Sequence, residues 1–197
     1  MDNPGFPPAD KPEELLHGVG IRLLHATDAD ALAEAYVRNR QHLAPWEPCR
    51  PEAFFTASLQ RELIRAKREQ LELGTEVPWV LIKDSGGLPA GQRIIGTVTL
   101  TGIVRGPFLS ANLGYWVDHG LLGRGVGTAA VRFAAAYAQT ELGLHRLQAA
   151  TLLHNAASRR ILGGAGFLEI GVAPEYLQIA GAWQDHLLHQ LILPYGP

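Results

Sequence analysis

The chain has 197 residues, with 17 Lys plus Arg against 19 Asp plus Glu, a formal net charge of −2, and 47% hydrophobic against 18% charged residues. That is too apolar for a disordered chain and enough to fill one core, and it leaves no basic excess to neutralise phosphates, so no nucleic-acid partner is expected. One cysteine, Cys49, excludes an internal disulfide and a thiolate metal cluster, and no basic-then-apolar leader or run of 18 uncharged apolar residues marks a signal peptide or membrane span, so a cytoplasmic location is the default.

Four prolines among the first 13 residues and few large apolar groups predict a flexible tail over 1–14, with a single folded domain over 15–197. Val19 to Leu24 alternates as a first strand, and Thr27-Asp28 offers a cap for a helix from Ala29 to about Arg40. The prolines of HLAPWEP at 42–48 stop that helix and stiffen a loop. Pro51 opens a long amphipathic segment to about Leu73, with Phe55, Leu59, Leu63 and Ala66 on the predicted apolar stripe and Gly74 closing it.

Strand patterns follow at Pro78 to Ile82 and Arg93 to Gly102, joined by a Gly-rich turn at 85–91, and again at Leu109 to Val117. Three glycines then lead into an alanine-rich helix ending near Gly143, whose small residues allow close packing on a sheet. Arg146 to Thr151 reads as a strand, Asn155 to about Gly164 as a helix, and Phe167 to Ile170, Tyr176 to Ile179 and Trp183 to Leu193 as three strands. The pattern predicts an α/β (α+β) domain with a central mixed, mostly antiparallel sheet flanked by helices.

The strongest local signal for chemistry is Leu122-Gly123-Arg124-Gly125-Val126-Gly127-Thr128, lying between a strand and a helix. Successive glycines let N–H groups converge, and the helix amino terminus adds partial positive charge, which together suit a phosphate or pyrophosphate. A Walker loop needs a lysine that is missing here. A dinucleotide fingerprint needs its third glycine one residue later and an acidic residue after the next strand, so ATP and NAD both fall. An unliganded turn is the plain alternative.

The stretches HLAPWEP at 42–48, LGYWVDHGLLGRGVGTAA at 113–130, LGLHRLQAATLLHNAASRRILGGAGF at 142–167 and GAWQDHLLHQLIL at 181–193 resemble, in order and spacing, the GNAT acetyltransferases, and within them the Rim-type ribosomal-protein N-terminal acetyltransferases. The resemblance implies an acetyl-CoA-dependent N-acetyltransferase acting on a primary amine, either a protein amino terminus or a small amine, with a homodimer as a further possibility. It implies that the strand ending at Trp116 and Val117 is splayed from its neighbour to hold pantetheine. Arg124, Gly125, Val126, Gly127 and Thr128 would then take the pyrophosphate, and Asn155 would combine helix capping with a contact to the cofactor. Leu122 replaces the Gln or Arg common at the first position of that loop.

Many superfamily members carry a tyrosine acid seven residues after Asn155, where this chain has Leu162. The resemblance moves the role to Ser158, a weak acid better suited to hydrogen-bonding the departing thiolate than to surrendering a free proton. The amine must lose a proton before attack. Glu175 occupies the position of the Rim-type glutamate base, with Tyr176 as a water carrier or substrate contact, while Glu47 beside Trp46 would draw an incoming cation. His186 and His189 are three apart in a predicted strand, so they face opposite ways, and no histidine pair has ligand spacing; no metal is expected. The competing class is a non-catalytic acyl-CoA-binding or regulatory module, kept open by Leu122 and Leu162. A domain for another phosphate ligand is a weaker third.

Overall fold

A computed structural model describes residues 12–16, 18–84 and 92–194. In chain order the elements are β1 (Glu13–Leu16), β2 (Val19–Leu23), α1 (Ala29–Leu43), α2 (Ala57–Glu72), β3 (Glu76–Asp84), β4 (Gln92–Val104), β5 (Ser110–Val117), α3 (Val126–Thr140), β6 (Arg146–Leu152), α4 (Ala156–Gly164), β7 (Leu168–Ile179) and β8 (Ala182–Ile192). The strands form one sheet in the order β1-β2-β3-β4-β5-β6-β8-β7, antiparallel throughout except where β5 meets β6. This is the mixed, mostly antiparallel sheet that the strand pattern predicts.

Alternation along the central strands divides the interior into two cores. Val80 and Ile82 of β3, Ile94 of β4 and Trp116 of β5 pack with Leu32, Ala35 and Leu43 of α1 and Ile64 of α2. Val77, Trp79 and Leu81 of β3 pack instead with Ala130, Val131 and Ala134 of α3 and Leu162 of α4. The alanines let α3 lie close, and Trp79 fills the space they leave, with the Tyr137 ring 5.0 Å away, edge to face.

Four details differ from the sequence expectations. The expected tail ends earlier, because Glu13–Leu16 pairs with β2; its first 11 residues, like the turn expected at 85–91, lie outside the described residues. The segment after Pro51 is not continuous: a 3₁₀ turn, Glu52–Phe55, precedes α2, whose N-cap Thr56 accepts from the Leu59 N–H. The face of α2 is also rotated, burying Gln60 and Ile64 and leaving Leu63 and Ala66 exposed, since Gln60 Nε2 donates to the Phe54 carbonyl at 2.6 Å and so turns inward satisfied. Finally, the two strands expected at 167–170 and 176–179 are one, β7, whose register shifts between Glu169 and Gly171 and between Ala173 and Leu177 absorb Pro174 without breaking the strand.

Candidate active site

The site begins where one strand pair fails to close. β5 and β6 pair in parallel only through Ser110↔Arg146, Ala111↔Leu147 and Asn112↔Gln148. Beyond that, β5 stays bonded to β4 as far as Gly96↔Val117, while β6 continues with β8 to Leu152↔His186. The two strands diverge, so from Leu113 to Val117 one edge of β5 faces a slot rather than a strand. Trp116 and Val117, expected on a splayed strand, lie there.

At the end of β5 the chain turns through a 3₁₀ segment, His119–Leu121, into the glycine loop. Gly123 and Gly125 adopt φ of +72° and +78°, conformations that glycine takes without strain, and Gly125 is the N-cap of α3. Gly125 has no side chain to bond the first turn, so the N–H groups of Val126, Gly127 and Thr128 stand at the helix start with no intrahelical acceptor. A Cβ at Gly127 would come within 2.8 Å of the Ile161 side chain, so this glycine lets α3 and α4 approach. Arg124 is exposed in the loop. The geometry suits a pyrophosphate bound through main-chain donors.

The loop is pinned from beneath by Asp118, whose side chain is 2% exposed. Its carboxylate accepts from Arg38 Nε at 2.7 Å, Asn39 Nδ2 at 3.1 Å, Arg93 at 3.1 Å and the Gly120 N–H at 3.0 Å. Burial by itself would raise the Asp118 pKa, but those donors outweigh it and hold the carboxyl well below the usual carboxylate range.

Across the slot, Asn155 caps α4, its Oδ1 accepting from the Ser158 N–H at 3.0 Å, as the spacing predicts. Ser158 Oγ in turn lies 2.8 Å from the Tyr115 hydroxyl of β5. Burial pushes that phenol up to about 12. Leu162, one turn on, is fully buried and carries no proton to give.

The opposite face of the same half-strand opens into a second space. A cavity of about 370 Å³ runs over Thr97, Thr99, Gly114 and Trp116 toward Tyr36 and Glu47. It adjoins another of about 340 Å³ that shares Tyr36, Glu47, Arg50 and Phe54 and reaches Cys49 and Ala180. Thr99↔Gly114 and Thr97↔Trp116 are register pairs, so these residues form the floor, and the missing side chain of Gly114 leaves it open. Trp116 Nε1 donates to the Tyr36 hydroxyl at 3.3 Å. Glu47, with a side chain 20% exposed, bonds Arg50 at 3.4 Å, and Arg50 lies 4.4 Å over the Phe54 ring. Burial raises the Glu47 pKa and Arg50 offsets part of that rise.

The remaining expected residues, Trp46, Glu175 and Tyr176, are not among the residues lining either cavity. The Ala180 N–H donates to the Glu47 carbonyl at 3.0 Å, tying the β7–β8 turn to the loop after α1. The Trp46 ring lies 5.4 Å from that of His154, just past the end of β6. Register carries Leu152 of β6 through His186 of β8 to Ala173 of β7, and Glu175 and Tyr176 follow on β7 within the register shift between Ala173 and Leu177. Glu175 is exposed, at a φ of +46°, with its N–H donating to Asp185 Oδ1 at 2.9 Å; the Tyr176 ring is 5.6 Å from His186. A non-glycine residue at positive φ within a bulge is strained, a feature that concentrates at functional sites. Tyr36, Tyr115, Thr97 and the Asp118 cluster escaped sequence reasoning. Tyr115 stood in a quoted motif, but nothing in its spacing marks a partner 43 residues away.

Among the described residues no group of three or more His, Cys, Asp or Glu side chains could hold a metal ion, and no helix is long and apolar enough to cross a membrane.

Comparison with known proteins agrees with this geometry. Residues 19–168 match the family model described as an acetyltransferase (GNAT) domain. The chain is 34% identical over 174 residues to the [ribosomal protein uS5]-alanine N-acetyltransferase of Escherichia coli (strain K12), covering 88% of this chain and 87% of that one. Among solved structures, the ribosomal-protein-S5-alanine acetyltransferase from Vibrio fischeri superposes with a TM-score of 0.87 at 33% identity, over 95% of this chain and all of that one (100%). Mycobacterium smegmatis RimJ in complex with CoA-disulfide gives a TM-score of 0.80 at 30% identity, over 88% and 81% of the two chains.

Proposed function

Because the chain belongs to the acetyltransferase (GNAT) family and transfers acetyl from acetyl-CoA to an amine, we propose that its acceptor is the α-amine of a protein chain, captured by Glu47 and acetylated by direct attack in a ternary complex. The observation that carries this is the placement of Glu47, a largely buried carboxylate in a cavity whose floor is the splayed half of β5. The Escherichia coli and Vibrio fischeri relatives, named for acetylating an alanine of a ribosomal protein, support a protein acceptor over a small amine. A cytoplasmic location goes with such an acceptor.

Acetyl-CoA supplies the activated thioester. In this assignment Arg124 to Thr128 hold its pyrophosphate, Asn155 contacts it from α4, and the unpaired edge of β5 through Trp116 and Val117 receives pantetheine. The amine approaches along the opposite side of β5 as a cation, drawn by Glu47 and flanked by Trp46. Glu175, exposed on its bulge, takes the proton through water, with Tyr176 beside it. The neutral nitrogen attacks the thioester carbon, and Ser158 hydrogen-bonds the sulfur as it leaves. Most of the acceleration comes from positioning and from main-chain donors fixed in place.

The test is acetylation of an alanine-initiated peptide and of small primary amines, followed by mass and by thiol release. Glu47→Gln raises the KM for the peptide about ten-fold or more with a smaller effect on kcat, the loss of one charge-assisted contact. Glu175→Gln lowers kcat by about 10²-fold with little change in the acetyl-CoA Kd. Faster turnover of small amines than of the peptide would overturn the protein acceptor, and a kcat effect confined to Glu47→Gln would exchange the two carboxylates' roles.

A further inference from the structure

We infer that Tyr115 is a positioning residue for the leaving group: its phenol fixes the Ser158 hydroxyl so that the serine's own proton is aimed at the departing sulfur. This rests on the assignment of Ser158 above and extends it to a residue of a different element.

Adjacent residues of β5 face opposite ways. Trp116 packs with the core under α1, whereas Tyr115 packs with the core under α3 and α4. Tyr115 lies beyond Asn112↔Gln148, the last pair joining β5 to β6, so no strand comes between its phenol and α4. The hydroxyl crosses that gap to lie 2.8 Å from Ser158 Oγ and 3.3 Å from the Ser158 carbonyl oxygen. The serine is also held through its N–H by Asn155 at 3.0 Å. Both ends of Ser158 are thus fixed, one from its own helix and one from the strand that floors the amine cavity.

The chemistry follows from the proton count. A hydroxyl has one proton and two acceptor sites. The phenol's one proton has two acceptors in reach, Ser158 Oγ at 2.8 Å and the Ser158 carbonyl oxygen at 3.3 Å; we assign it to the shorter contact, which leaves the serine its own proton for a third atom. The phenol, raised by burial to about 12, stays protonated wherever the amine and thioester react, so it always has a proton to donate. On collapse of the tetrahedral adduct the C–N bond is retained, the C–S bond breaks and its electron pair remains on sulfur. The new thiolate accepts a hydrogen bond from Ser158, and the proton lost by nitrogen leaves through the carboxylate side to solvent. No proton has to leave Tyr115: a phenol near 12 is a weaker acid than a thiol near about 8.5, so it orients the donor without being consumed. Leu162, where a helix-borne acid would stand, is fully buried and cannot take the role.

The experiment is a double-mutant cycle in the full chain with Tyr115→Phe, Ser158→Ala and both, measuring kcat, the KM for peptide and the acetyl-CoA Kd by calorimetry. Tyr115→Phe lowers kcat about ten-fold, the worth of one orienting hydrogen bond, with acetyl-CoA Kd and Tm close to wild type. The double variant is no slower than Ser158→Ala alone. Ser158→Thr, which keeps a hydroxyl, recovers rate when Tyr115 is present and fails to do so in the Tyr115→Phe background. Fully additive losses, equal rescue by threonine in both backgrounds, or an effect on KM alone would overturn the inference. If Ser158→Ala itself keeps wild-type kcat, the Ser158 assignment falls first; if Ser158→Ala is slow and Tyr115→Phe does not couple to it, only the role of Tyr115 falls.

Discussion

Gly96→Ala is expected to cost about 3 kcal/mol or more, the most severe stability loss among the substitutions considered. Gly96 pairs with Val117 at the far end of β5 and lies beside the β3–β4 register shift at Leu81 and Ile82. A Cβ there would overlap the main-chain carbonyl of Trp116 and come within 2.9 Å of Leu81 Cδ1. The leucine tip can turn aside, but a backbone carbonyl in a paired strand cannot, so β4 and β5 must part. The consequence would reach function because Trp116 and Val117 lie on the splayed half of β5 proposed to receive pantetheine, and Trp116 also lines the cavity proposed for the amine. Urea unfolding and acetyl-CoA calorimetry on the same variant check it: stability and cofactor binding should fall together. Gly114→Ala is the control, since its added carbon meets nothing within 4 Å, and its stability should stay within about 0.5 kcal/mol of wild type. Near-native stability for Gly96→Ala would show that β5 can shift without cost.

Asp118→Asn is expected to cost about 3 kcal/mol at pH 7 and to lower Tm by roughly 6–12 °C, because it withdraws the charge from a cluster in which Arg38, Asn39, Arg93 and the Gly120 N–H all donate to one buried carboxylate. The figure sits at the low end for a broken buried pair because Arg93, 48% exposed, can turn toward water. The pH dependence has a definite sign. The folded pKa of Asp118 is depressed below its unfolded value of about 4. Its contribution is therefore complete above about pH 4 and is lost as pH falls through the folded pKa. Thermal unfolding across pH should show the wild type well above Asp118→Asn at neutral pH and the two converging in acid. A gap that stays constant below pH 4 would mean the carboxylate's charge contributes nothing. The same variant should weaken acetyl-CoA binding, since Asp118 fixes Gly120 at the approach to the glycine loop proposed to hold the pyrophosphate.

The signals that the sequence carried on its own are those with short range. Three closely spaced glycines before an alanine-rich run define local dihedrals and a helix start with free N–H groups, whatever lies elsewhere in the chain. Asn155 with Ser158 three residues later is a cap by the same logic, and period-two alternation marks the strands that form the mixed sheet. The family resemblance added acetyl-CoA and a splayed strand, and the shortened β5–β6 pairing agrees with it.

What depended on tertiary structure is what joins distant segments. The bond between Tyr115 and Ser158 spans 43 residues, and that between Arg38 and Asp118 spans 80. The Ala180 N–H reaches the Glu47 carbonyl only because the β7–β8 turn folds back over the loop after α1. The stripe on α2 could not be chosen from periodicity either, because a buried glutamine is acceptable only once the Phe54 carbonyl is there to accept from it. Sequence pattern fixes which dihedrals and faces a segment can adopt. Which face is buried, and which side chains meet across a gap, waits on the order of strands in the sheet and on where that sheet is left open.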